Sequence, residues 1–92
     1  MRLIDAVGRL KALDRKGTIY AAQPWNEDSV AAVLREPDSG GLPAEAEELA
    51  LTYFLEVSVA REFVEDWRAN LDKEPTAQET CQRLILYAIN DA

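Results

Sequence analysis

LALTYFLEVSVAREFVEDWRANL, residues 49–71, changes its hydrophobic period from two to between three and four within a single turn. In residues 51–57 strict alternation puts Leu51, Tyr53, Leu55 and Val57 on one face and Thr52, Phe54 and Glu56 on the other, the pattern of a strand. Ser58 is a candidate N-cap. Beyond it Val59, Ala60, Phe63, Val64, Trp67 and Leu71 recur at helical spacing, with Arg61, Glu62, Glu65, Asp66 and Arg68 off that stripe. A strand feeds a helix, and each needs its apolar side covered, so the two are expected to pack together as the centre of the core.

Around this unit the chain has room for one domain. It has 92 residues, 48% of them hydrophobic, with two tryptophans, three tyrosines and two phenylalanines, enough to compact a small α+β domain spanning 1–92. The single cysteine, Cys81, excludes an internal disulfide, and the absence of histidine removes the usual zinc ligand sets, so neither a metal nor a cofactor is expected. The opening MRLIDAVGRLKALDRK is basic and amphipathic, but Asp5 and Gly8 interrupt any secretory apolar run. No stretch approaches a membrane span, and with the unpaired cysteine this favours the cytoplasm.

The remaining elements follow in order. Leu3, Ala6, Val7, Leu10 and Leu13 trace a first helical face, in which Gly8 would cost about 1 kcal/mol relative to alanine in a regular helix. Lys16 and Gly17 close it. Residues 18–22 read as a short strand closed by Pro24, and residues 30–34 as a second, although two turns of helix fit residues 29–35 as well. EPDSGGLP, residues 36–43, is a loop. The acidic residues 45–48 form either a short helical turn or the entry to the third strand. Thr76-x-x-Glu79 is a capping box announcing a last helix, with Ala77, Cys81, Leu84, Ile85 and Ala88 inward. The expected order is α-β-β-β-α-α, a three-stranded, mainly antiparallel sheet packed against helices. Its expected core includes Leu10, Ile19, Tyr53, Leu55, Phe63, Trp67, Cys81, Leu84 and Ile85.

Little in the sequence supports covalent chemistry. Cys81 lies on an inner helical face with no histidine to activate it, and Ser29, Ser39 and Ser58 occupy turn or cap positions. Glu62 and Asp66, four apart on one helix, could together with Glu56 serve a carboxylate-dependent enzyme, but a solvated face explains them as well. The segment beginning at Asp38 fails as a calcium loop, because its sixth residue is Pro43 and its twelfth Leu49. No protein catalyst is therefore expected.

Charge points to binding instead. The net charge is −7, with five basic and two acidic residues in 1–16, two and eleven in 17–66, and three and four in 67–92. An acidic middle repels nucleic acid and attracts a basic protein. The candidate contact residues are Tyr20, Trp25, Glu27, Asp28, Glu45, Glu47 and Glu48, aromatic anchors beside carboxylates, with Tyr53 a further aromatic. Trp25 has an alternative role in closing the sheet edge. A homodimer remains open.

At Tyr53, Phe54, Leu55, Glu56 and Val57, then Pro75 and the ending Leu84, Tyr87, Ala88, Asn90, Asp91 and Ala92, the chain resembles a family of small bacterial α+β proteins without settled biochemical function. In size and acidity it is also similar to immunity proteins that neutralise toxins delivered between bacteria. That likeness implies a non-catalytic inhibitor of a basic toxin; an ordinary structural or regulatory adaptor subunit is the alternative.

Overall fold

Gly17 and Val57 show how the central unit is joined to the sheet. The computed structural model describes residues 1–91, the side chain of Asp91 excepted. Three strands, β1 (Thr18–Ala21), β2 (Ala31–Leu34) and β3 (Thr52–Glu56), form one antiparallel sheet in the order β2-β1-β3. The helices are α1 (Leu3–Gly8), α2 (Ala44–Glu48), α3 (Val57–Ala69) and α4 (Ala77–Asp91), with a 3-10 turn at Leu10–Ala12. This is the expected α+β order, and the acidic segment left open between helix and strand is the five-residue α2.

Strand passes into helix without a linker. The Val57 N–H donates to the Gly17 carbonyl at 3.1 Å, so an amide that would otherwise need a cap at the start of α3 is satisfied by the strand ladder. Glu56, not Ser58, therefore occupies the N-cap position, with no side-chain cap. Gly17 must be a glycine at this junction, because a Cβ there would stand 2.9 Å from Val33 Cγ1 and 3.1 Å from the Asp14 carbonyl oxygen.

The expected alternation in β3 is broken by a bulge. Ile19 pairs with Leu55 but Tyr20 with Tyr53, leaving Phe54 as the extra residue. Phe54 and Leu55 consequently both enter the main core, 0% and 2% exposed, while Tyr53 is turned to the other face and is 43% exposed. The placement of Tyr53 in the core is thus corrected. Trp67 is corrected too: it is half-buried on α3 and belongs to neither apolar cluster, whereas Phe63 and Ile85 pack against the core from its margin.

The main core lies between the first face of the sheet and α1, α3 and α4. Leu3, Val7 and Leu10 meet Ile19, Ala21 and Ala31 from one side, and Val57, Ala60, Val64, Cys81, Leu84 and Ala88 close it from the other. Its rim is aromatic: Phe63 and Tyr87 stack at 4.3 Å, with the Arg83 guanidinium 5.5 Å above the Phe63 ring. The first helix is shorter than its periodicity suggests, because it ends at Gly8 and tightens into the 3-10 turn after Arg9. No neighbour lies within 4 Å of where a Gly8 Cβ would be, so the break follows from the backbone and not from close packing. The α4 capping box is made in both directions, Glu79 N–H to Thr76 Oγ1 and Thr76 N–H to Glu79 Oε1, each 3.0 Å.

Candidate protein-binding face

Because side chains alternate along a strand, the sheet has a second face, and among the described residues α2 is the one helix packed on it. There Tyr20, Ala46 and Leu51 form a small apolar cluster, with Ala22, Ala32 and Leu34 half-buried against it. Ala46 is held over Tyr20 by the way α2 ends. The Leu51 N–H donates to the Ala46 carbonyl at 2.8 Å and the Ala50 N–H to that of Glu47 at 3.1 Å, with Ala50 at φ +57°. These two bonds define a Schellman closure, and the accompanying apolar contact is Ala46 against Leu51.

The seven residues singled out by sequence divide between two places. Tyr20 is 1% exposed, so it presents no contact surface of its own; it stands edge-to-face with Tyr53 at 6.3 Å and supports that ring. The Tyr20 hydroxyl is buried with no hydrogen bond of good geometry, although Thr18 lies beside it. Burial, then the charge of Glu36, raises its pKa. The Tyr53 phenol is raised by burial and by the charges of Glu56 and Glu36. The Glu56 N–H, facing the phenol oxygen, acts in the opposite direction. On α2, Glu45, Glu47 and Glu48 are exposed and take part in no ion pair among the described residues.

Trp25, Glu27 and Asp28 belong to the turn between β1 and β2, which is tied to the main core. Trp25 packs edge-to-face on Phe54 at 4.9 Å and its Nε1–H donates to the Ala21 carbonyl at 3.1 Å. Glu27 accepts from Gln78 and Gln82 of α4, both at 3.3 Å, and its backbone carbonyl accepts from the Ile4 N–H. Asp28 pairs with Arg2 at 3.1 Å. These groups are engaged inside the molecule, and Trp25 folds back onto the end of the central strand β1 instead of standing free. The structure does not bring them together with α2.

Reading by strict alternation missed three residues of the second face. Leu49 is 49% exposed at the end of α2, Glu56 pairs with Thr18 at the end of β3, and Glu36 accepts from the Thr18 hydroxyl at 3.4 Å. The only sequence signal for them was their acidity or their place beside a turn.

Basic side chains gather in clefts, one of them shared with Glu36 and Glu56. Arg9, Lys11, Arg61 and Arg68 line a cleft of about 480 Å³ between the first helical segment, α3 and α4, where Arg68 pairs with Glu74. Arg15, Lys16 and Arg35 line a second cleft of about 490 Å³ with Thr18, Glu36, Glu56 and Ser58, and Arg35 is held by Asp14 at 3.0 Å. Glu62 lines a third, smaller cleft with Arg15, Ser58, Arg61 and Glu65, while Asp66 lines none of these three. Among the described residues no group of three or more potential metal ligands is assembled, and no helix is long and apolar enough to cross a membrane. Cys81 is fully buried, its thiol pushed up to about 11 by burial and, less, by the charge of Glu27.

No family model, no curated protein and no solved structure matches the chain.

Proposed function

We propose that the chain is a non-catalytic acidic module that binds a basic protein through the second face of its sheet, in its sharpest form an immunity-like inhibitor of a bacterial toxin in the cytoplasm. One observation carries this reading. Among the described residues the five-residue α2 covers this face, leaving Tyr53 and Leu49 about half exposed on it together with Glu45, Glu47 and Glu48, none of which is in an ion pair. An inhibitor that acts by covering its target needs no nucleophile. The carboxylates of α2, which pair with no internal cation among the described residues, steer a cationic partner, and an aromatic supported by Tyr20 supplies the contact that slows its release.

The test is capture of the native partner at low and high salt, followed by kinetics with Glu45→Lys, Glu47→Lys and Glu48→Lys combined. The variant is expected to associate about tenfold or more slowly at low salt, with the difference shrinking as salt screens the field. Its thermal midpoint should hardly move, because all three side chains are exposed. A specific partner that is a nucleic acid, or association unaffected by the three reversals, would sink the proposal.

A further inference from the structure

The sheet has two edges, and they are not alike. Along β2 the outer edge is occupied in part: Ala31 donates to the Met1 carbonyl at 2.8 Å and accepts from the Met1 amine at 3.3 Å, while the Leu3 N–H donates to the Ser29 carbonyl. β3 has β1 as its only strand neighbour. Which of its backbone groups are free follows from the ladder. The Ala22 N–H donates to the Val30 carbonyl at 2.9 Å, so the even residues of β1 bond toward β2 and the odd residues toward β3. Tyr53 and Glu56 stand opposite the even residues Tyr20 and Thr18, and their amides therefore face outward.

The Glu56 carbonyl is taken up by the first turn of α3, as the N-cap carbonyl of a helix is. What remains open is the N–H and C=O of Tyr53, since the Glu56 N–H faces the Tyr53 phenol oxygen. Among the described residues neither of these bonds the backbone of another element, and the side chains of Tyr53 and Glu56 are exposed. The open edge borders the face to which the proposed function assigns binding.

We infer that this edge receives an extended basic segment of the partner as a fourth, antiparallel strand. The inference rests on the basic-partner reading and specifies how the partner is held. One guest residue exchanges both backbone hydrogen bonds with Tyr53, and because directly paired residues of an antiparallel ladder share a face, its side chain lies on the same face as the Tyr53 ring. A lysine or arginine there lies on the face that carries the exposed Tyr53 ring and the exposed Glu56 side chain. A second copy of the chain is disfavoured as occupant, since it would bring a net charge of −7 and the same carboxylates to the seam, together with a second bulge. A helical guest would leave the Tyr53 backbone groups without partners.

Synthetic octapeptides of alternating lysine and valine test this directly. One is unmodified, one carries N-methyl groups on the lysine amides, and one carries them on the valine amides; charge and side chains are otherwise unchanged. The unmodified and valine-methylated peptides are expected to bind and to slow hydrogen exchange at the Tyr53 amide. Lysine methylation should weaken binding about tenfold, since it removes the donor to Tyr53. If all three peptides bind alike, strand addition is wrong and charge-driven binding stands. Loss on valine methylation alone refutes the antiparallel arrangement, and no binding by the unmodified peptide at millimolar concentration overturns the inference, while the charge-reversal kinetics judge the function separately.

Discussion

The backbone of Ala50 sits at φ +57°, a left-handed conformation that costs an L residue roughly 1–2 kcal/mol and that glycine adopts freely. It is the residue after the helix cap in the closure of α2, the position where glycine is usual. Ala50→Gly relieves that strain but gives the unfolded chain more freedom, worth about 0.5–1 kcal/mol in the opposite direction. The expected net effect is a stabilisation of about 0.5–1 kcal/mol, a rise of several degrees in the thermal midpoint of a domain this size. Calorimetry of the two proteins checks it, and a lower midpoint for the glycine variant would contradict the closure described. The sequence hides this site because nothing in AEAEELAL marks an alanine as the left-handed residue; the signal that would ordinarily betray it, a glycine, is missing.

At the level of elements the decisive feature is the bulge in β3. Phe54 is fully buried between Trp25 and the main cluster, so Phe54→Ala is expected to cost about 3–5 kcal/mol. Trp67 lies outside both clusters, and Trp67→Ala should cost about 1 kcal/mol or less. Urea midpoints of the two variants rank the sites, and equal losses would remove the bulge from the account. The strand, the helix after it, the capping box at Thr76 and the order of elements were all legible, because each rests on a local period or a local hydrogen-bonding pattern. Which side of the sheet Tyr53 faces was not legible. TYFLE reads equally well with or without an inserted residue, and the choice is made by Ile19 and Trp25, distant in sequence, which need Phe54 and Leu55 on one side together. The candidate contacts were half legible for the same reason: the acidity of α2 is local information, whereas the engagement of Glu27 by Gln78 and Gln82 depends on how α4 packs.

For the whole molecule the titrating groups set a window of stability. Asp5, Asp14 and Glu79 are held below their ordinary values, Asp5 by the Arg2 N–H and guanidinium, Asp14 by the Lys16 N–H and Arg35, and Glu79 by the Thr76 N–H and hydroxyl. Their folded pKa values are depressed, so the stability they confer is present above their unfolded values of 3.8 and 4.5 and fades as pH falls below these toward and through the lower folded values. Cys81 works in the other direction. Its folded value of about 11 exceeds the ordinary 9.0, so the unfolded chain loses this proton first and stability declines as pH rises from 9 toward 11. Tyr20 and Tyr53, also raised, extend the decline above 10. Urea titrations should therefore show a plateau between about pH 5 and 9, and Cys81→Ala should remove the part of the alkaline slope that begins near 9 while leaving the tyrosine part. An unchanged slope in that variant would mean that Cys81 is not shielded from solvent in the folded chain.

Glu56 ends the strand and Val57 begins the helix with no residue between them. A helix turns about 100° per residue, so sliding β3 along β1 by one position would swing Val57, Ala60 and Val64 more than a quarter turn away from their seat. The same slip would reverse the faces of the strand. Each element therefore proofreads the other while the chain folds: a wrong register cannot dock the helix, and a wrongly rotated helix cannot close the ladder. Once formed, the pair is expected to open and close as one cooperative unit, because no linker lets the helix leave its seat while the strand stays paired.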